Sequence, residues 1–315
     1  MSESWTGVID DINDAIKSGL LVQPDGLSGY SGDALMGSLQ RVAARQAANG
    51  VGDYLEVGVF QGLTLLSVAA ATTGAAYGID NFAQFDQNGE NKGLVEARQN
   101  HNKLENAYLI NEDYEDALET LASHIGDGPI GTYFVDGPHD YRSQLICLML
   151  ALPHLAQGAV VFVDDCNYRH VRLANRDFLV TNPDWALLFE AYTEAHPKNT
   201  MGQAAEAARS GWWNGVNIMV HDPERSLPRI LPPTLRNRLM AENEHVVQAS
   251  RYGAIAPEAM MVIDAALSGQ DTNGVLSYLQ QRLAATPQPL LGIYPAMNTW
   301  SAGLTSGRFA TDQPS

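Results

Sequence analysis

The chain has 315 residues, 45% of them apolar and 17% charged, which is enough to bury a full core, and its formal net charge is −17. A surface that acidic repels phosphate backbones and anionic lipid, which argues against nucleic acid and membrane surfaces as partners. No apolar run approaches the roughly 18–20 residues needed to span a bilayer, and residues 1–14 lack the features of a secretory signal. Two cysteines, Cys147 and Cys166, make no disulfide framework, so a soluble cytoplasmic protein is expected.

Residues 8–19 and 33–48 read as helices, joined by a loop through Pro24-Asp25-Gly26 and Ser28-Gly29-Tyr30-Ser31-Gly32. From residue 53 short apolar runs alternate with helical stretches. The spacing predicts strands at 54–57, 76–79, 107–110, 132–135 and 159–163, and helices at 63–71, 95–102, 113–123 and 141–155. Such alternation implies a mostly parallel sheet covered on both faces, the doubly wound α/β class. Two further strands are expected at 186–191 and 213–220. A proline cluster at Pro223, Pro228, Pro232 and Pro233 then marks an extended connection. Helices at 257–267 and 275–284 follow, before a Gly/Ser/Thr-rich end expected to fray. The chain thus divides into a helical cap (1–50), an α/β domain (51–221) and a partly helical extension (222–315).

Ligands of doubly wound sheets bind beyond the carboxyl ends of the strands. The first strand ends in Glu56-Val57-Gly58-Val59-Phe60-Gln61-Gly62, a turn whose two glycines let a ligand lie against the main chain. Its spacing lacks the Gly-x-Gly-x-x-Gly of a dinucleotide site, and Glu56 at its mouth suits a positively charged ligand. Both features count against a nicotinamide oxidoreductase. The second strand ends at Asp80, placed to accept from ribose hydroxyls. After the third strand, Asp113 either meets a purine amine or caps a helix.

The fourth and fifth strands end in Asp136-Gly137-Pro138-His139-Asp140-Tyr141 and Asp164-Asp165-Cys166-Asn167. Carboxylates at neighbouring strand ends are costly unless protonated, paired or holding a cation. Oxygen ligation by Asp136, Asp164 and Asp165 suits Mg²⁺, with Mn²⁺ or Ca²⁺ as alternatives. His139 is the best candidate general base, because histidine is the side chain whose ordinary charge change lies nearest neutral pH.

These elements resemble class I S-adenosylmethionine-dependent methyltransferases. The Asp136–Tyr141 and Gly158–Asp165 segments narrow the likeness, over about residues 35–220, to the subgroup of macrocin and mycinamicin sugar O-methyltransferases and cephalosporin-hydroxylase-like proteins. The resemblance implies a Rossmann-like seven-stranded sheet whose last strand is antiparallel. It implies that Glu56, Gly58 and Gly62 line the methionine part of the cofactor, that Asp80 with Asn81 holds the ribose, and that Asp113 and Tyr114 border the adenine. It assigns Asp136, Asp164 and Asp165 to the metal, with Asp136 also facing the cofactor, and the acceptor proton to His139. Pro138 departs from the pattern, since many relatives carry an acidic residue there.

The expected activity is methylation of a hydroxyl on a small molecule, a sugar or natural product, and a homo-oligomer is expected. The alternative is a non-methylating, cofactor-binding subunit of a tailoring complex. The loop 26–32 with Tyr30 reads either as a lid or as an ordinary connection. Trp212 and Trp213 read as an acceptor floor or as core. Arg169 and His170 read as acceptor contacts or as exposed residues.

Overall fold

Two helices precede the first strand in the computed structural model, which describes residues 3–83, 85, 86, 88–194, 201–234, 256–285, 304 and 307–312. Helix α1 (Glu3–Ser18) buries Trp5, Val8, Ile12 and Ala15, an apolar stripe at helical spacing that lies on α2 (Asp33–Ala48). The free N–H groups that open α2 find an unusual acceptor. Ala34 and Leu35 both donate to the Gly211 carbonyl, at 3.1 and 3.3 Å. That approach needs a glycine before the helix, since a Cβ on Gly32 would stand 2.2 Å from the same oxygen.

The strands are β1 (Asp53–Val57), β2 (Ala76–Ile79), β3 (Ala107–Ile110), β4 (Ile130–Val135), β5 (Leu155–Val163), β6 (Trp185–Ala191), β7 (Val216–His221) and β8 (Arg308–Phe309). They form one sheet in the order β3-β2-β1-β4-β5-β7-β6-β8. The pairings among β1 to β5 are parallel, and β7 runs antiparallel to both β5 and β6. Helices α3 (Leu63–Ala71), α4 (Asn91–Asn102), α5 (Tyr114–Glu119), α6 (Leu121–Ile125), α7 (Tyr141–Ala151), α8 (Arg169–Thr181) and α9 (Gln203–Ser210) connect them. Because strand side chains alternate, Tyr54, Phe134, Val160 and Phe162 pack toward α1 to α3. Leu55, Tyr133, Val161 and Val163 pack toward α5 to α8. This is the doubly wound α/β sheet that the alternation predicts, and its last long strand is antiparallel as expected.

Several boundaries differ for identifiable reasons. Asp113 does not open a helix over 113–123; its carboxylate caps α5, and the helical run breaks at Thr120. The helix expected to reach Leu155 stops at Ala151, where Pro153 enters a 3₁₀ turn (Leu152–His154) and Leu155 starts β5. Strand β7 begins at Val216 and not at Trp213, because Trp213 (φ 52°) and Gly215 (φ 86°) turn the chain first.

Helices α8 and α9 are absent from the sequence reading. In α8, Val171, Ala174, Phe178 and Leu179 recur at helical spacing, but the buried polar residues His170, Arg172 and Asn175 on the same helix blur the stripe. The extended connection at 222–234 lies along α8, where Arg172 Nε donates to the Pro233 carbonyl at 2.9 Å. Helices α10 (Ala256–Leu267) and α11 (Asn273–Ala285) pack on each other and leave Met260, Met261 and Leu267 exposed.

The end of the chain is not frayed throughout. Residues 308–309 extend the sheet beside β6, the Phe309 ring meets Phe189 at 4.8 Å, and Arg308 Nε donates to the buried Glu190 Oε1 at 2.6 Å. The rest of the Gly/Ser/Thr-rich end lies outside the described residues, apart from Leu304, Gly307 and Ala310–Asp312.

Candidate active site

A cleft of about 720 Å³ opens at the carboxyl ends of the central strands. Its first wall is the turn after β1. Gly58 (φ 96°) sits so close to the end of β4 that a Cβ there would lie 2.0 Å from the Asp136 carbonyl oxygen. Gly62 (φ 80°) closes the turn at the N-terminus of α3. Asp80 holds the turn from β2: Oδ2 accepts from Val59 N at 2.9 Å and Phe60 N at 2.8 Å, and Oδ1 from Phe82 N at 2.7 Å. So the Asp80 carboxylate shapes the turn as well as lining the cleft.

Glu56 stands behind the cleft and not in it. It is fully buried, and its oxygens accept from Tyr54 Oη at 2.6 Å and Thr64 Oγ1 at 3.0 Å. Burial pushes its carboxyl up to about 8, against the pull of those two hydrogen bonds. Thr64 lines the cleft, while Gly62 stands behind it with Glu56. At the far side, Asp113 accepts from Glu115 N at 2.9 Å as the α5 cap and from Asn81 Nδ2 at 3.2 Å, and Tyr114 follows it. Asn81, Asp113 and Tyr114 all face the cleft.

The ends of β4 and β5 supply the floor. One oxygen each from Asp136 and Asp165 and one ring nitrogen of His139 lie within 4.8 Å of one another. His139 Nε2 is 2.7 Å from Asp165 Oδ2, and its ring stacks on Tyr168 at 5.8 Å. The other Asp165 oxygen accepts from the Asn214 amide. Asp164 lines the same cleft but turns Oδ1 onto the Asp165 N–H at 2.8 Å. Thus Asp136 and Asp165 converge with His139, and Asp164 stands beside the group.

Burial, reinforced by Asp164 and Asp165, holds the Asp136 carboxyl well above its usual range, and burial with Asp165 does the same for Asp164. A cluster of acids raised by burial and mutual repulsion is relieved by a cation. The converging Asp136 and Asp165 oxygens fit Mg²⁺ or Mn²⁺.

Three aromatic rings close the cleft on the side of the N-terminal loop. Tyr30 stacks on Phe60 at 5.7 Å and leans on Trp213 at 6.0 Å, and all three line the cleft. Trp212 instead is buried against Phe189 at 4.9 Å. His170 is buried in α8 and away from the cleft lining, and Cys166 is a buried thiol whose Sγ meets the Val163 carbonyl at 3.2 Å. Asn214 and Tyr168, which hold Asp165 and His139, had no signal in the sequence, since a lone amide or phenol after an apolar run has many other uses.

Residues 55–166 match a methyltransferase domain. The match spans the glycine turn, Asp80, Asp113, Asp136, His139 and Asp165, about a third of the chain. No curated protein was found to match. Among solved structures, an O-methyltransferase from Bacillus cereus in complex with SAH is 13% identical, with 70% of this chain and 92% of that one covered, at a TM-score of 0.44. The O-methyltransferase TomG from Streptomyces achromogenes, involved in tomaymycin synthesis and in complex with SAM, is 16% identical over 70% of this chain and all of its own, at 0.46. A putative O-methyltransferase from Klebsiella pneumoniae is 12% identical over 70% of this chain and 91% of its own, at 0.43. The fold is the α/β Rossmann-like methyltransferase fold, with the two-residue β8 added at one edge.

Proposed function

We infer that the chain is an S-adenosylmethionine-dependent O-methyltransferase acting on a hydroxyl of a small molecule in the cytoplasm. One observation carries this reading: the Asp136–His139–Asp165 group shares a cleft with a glycine turn whose backbone is pinned by Asp80. S-adenosylmethionine supplies an electrophilic methyl that passes to oxygen by in-line displacement, and a divalent cation lowers the pKa of a hydroxyl beside it.

The chain's own residues do the rest. Gly58 would bare the backbone for the methionine part, with Gly62 closing the turn behind it; Asp80 and Asn81 would hold the ribose, and Asp113 and Tyr114 would border the adenine. Asp136 and Asp165 would hold Mg²⁺ or Mn²⁺, with Asp164 beside them. The acceptor proton passes to the His139 imidazole, and the imidazolium so formed is stabilised by Asp165 at Nε2. Asn214 fixes that carboxylate in turn. The Asp136-Gly137-Pro138-His139 and Asp164-Asp165 elements support an acceptor of the macrocin-like kind, a hydroxyl on a sugar or natural product.

The test is transfer of labelled methyl from S-adenosylmethionine to hydroxylated acceptors. A chelator should abolish turnover, and added Mg²⁺ should restore it. His139→Ala should lower kcat by about 10²–10⁴ while leaving donor binding intact. Turnover that ignores the chelator would remove the metal from the account, and full activity in His139→Ala would remove the base.

A further inference from the structure

We propose that Tyr30, Phe60 and Trp213 form an aromatic wall that selects the acceptor, admitting a planar-faced ring without negative charge. The proposal rests on the methyltransferase reading above and deepens it at the acceptor side. The three rings come from three separate elements. Tyr30 belongs to the loop before α2, Phe60 to the glycine turn, and Trp213 to the approach to β7. They meet at 5.7 and 6.0 Å on the cleft surface.

Their place follows from their neighbours in the chain. Phe60 donates its N–H to Asp80 inside the turn expected to hold the donor. Trp213 precedes Asn214, whose amide holds the Asp165 carboxylate paired with His139. The wall therefore runs from the donor turn to the base, and an acceptor must lie between those two for the displacement to occur. Phe60 (φ 50°) and Trp213 (φ 52°) both adopt the left-handed conformation that bulky residues rarely take, a cost met in ligand clamps.

The wall is also held at a set spacing. Arg98 ties the loop to the turn, donating from Nη1 to the Gln61 carbonyl at 2.6 Å and from Nη2 to Ser28 Oγ at 2.9 Å. Gly32 ties it to the segment before β7, since the Gly211 carbonyl leaves no room for a Cβ. Among the described residues, seven with carboxyl side chains and no Lys or Arg line the cleft. Aromatic faces take a flat ring or the apolar face of a sugar. The carboxyl groups outside the proposed metal group, Asp80, Asp86, Glu90 and Asp113, repel an anionic one.

The test is calorimetric titration of the SAH-loaded full chain with catechol, a neutral planar diol, and with its anionic analogue 3,4-dihydroxybenzoate. Catechol should bind wild type and bind at least about fivefold more weakly to Tyr30→Ala and Trp213→Ala, while Trp213→Phe keeps the affinity. Gly32→Ala, which parts the loop from Trp213 without touching any ring, should weaken catechol in the same direction. Dihydroxybenzoate should bind wild type at least about tenfold more weakly than catechol. SAH affinity should be the same in every variant, which also reports that each has folded. The proposal is overturned by no catechol binding to SAH-loaded wild type, by equal affinity in Tyr30→Ala and Trp213→Ala, or by dihydroxybenzoate binding as tightly as catechol. Failure of wild type to bind SAH at all would instead overturn the donor reading beneath it.

Discussion

Glu56 enters the chain as an acid and is kept protonated through neutral pH by the fold. Its carboxyl, pushed up to about 8 by burial, binds a proton in the native state that the unfolded chain releases near pH 4.3. Between those values the native state holds the extra proton, so stability falls as pH rises and levels off above about 8. Asp136 and Asp164, also raised by burial, act in the same direction. Melting temperature should therefore drop from pH 5 to pH 8, and Glu56→Gln should make that drop shallower. Equal slopes in the two proteins would contradict the buried, neutral Glu56. The sequence made Glu56 visible through its place before the glycines, but not that it lies behind the cleft. Burial depth depends on Tyr54 and Thr64, which reach it only in the folded state. Asp136, His139 and Asp165 were legible because they lie within four residues of the ends of the apolar strands β4 and β5. Asn214 was not, because it meets Asp165 across 49 positions of chain.

At the scale of elements, the strands were legible and the turns between them less so. Strands β2 and β3 match the expected ranges because each is a short apolar run, Ala76–Ile79 and Ala107–Ile110, set between polar loop residues. Helix α8 was missed because it buries Arg172 and Asn175 in a polar network behind β5, where Arg172 Nη1 donates to the Cys166 and Asn167 carbonyls at 2.6 Å. No periodicity rule anticipates a buried guanidinium that spends its donors on backbone. The element most exposed to a single change is the glycine turn. Gly58→Ala combines a positive φ with a Cβ against the Asp136 carbonyl, so it should cost more than about 1 kcal/mol in urea unfolding. Because that carbonyl belongs to the cleft floor, S-adenosylmethionine affinity should fall with it. Wild-type stability in Gly58→Ala would show that β1 and β4 do not need their close approach.

For the whole molecule, the sheet gathers groups that lie far apart in sequence at one set of strand ends. The His139–Asp165 pair comes from beyond the ends of β4 and β5, its support from before β7, and the aromatic wall from the loop before α2, the glycine turn and the approach to β7. The far edge is closed by β8, where Arg308 neutralises the buried Glu190 that also accepts from Tyr192 Oη at 2.6 Å. Composition could not place that strand, since a two-residue pairing carries no periodic signal. The net charge of −17 bears on partners and not on fold, and it agrees with a cleft lined by carboxyl groups. The central claim is that this cleft takes a sulfonium donor and not a dinucleotide. Side-by-side calorimetric titrations of the full chain with S-adenosylmethionine and with NAD test it most directly. The account predicts one S-adenosylmethionine bound per chain and no heat of binding from NAD; saturable binding of NAD with none of S-adenosylmethionine would contradict it.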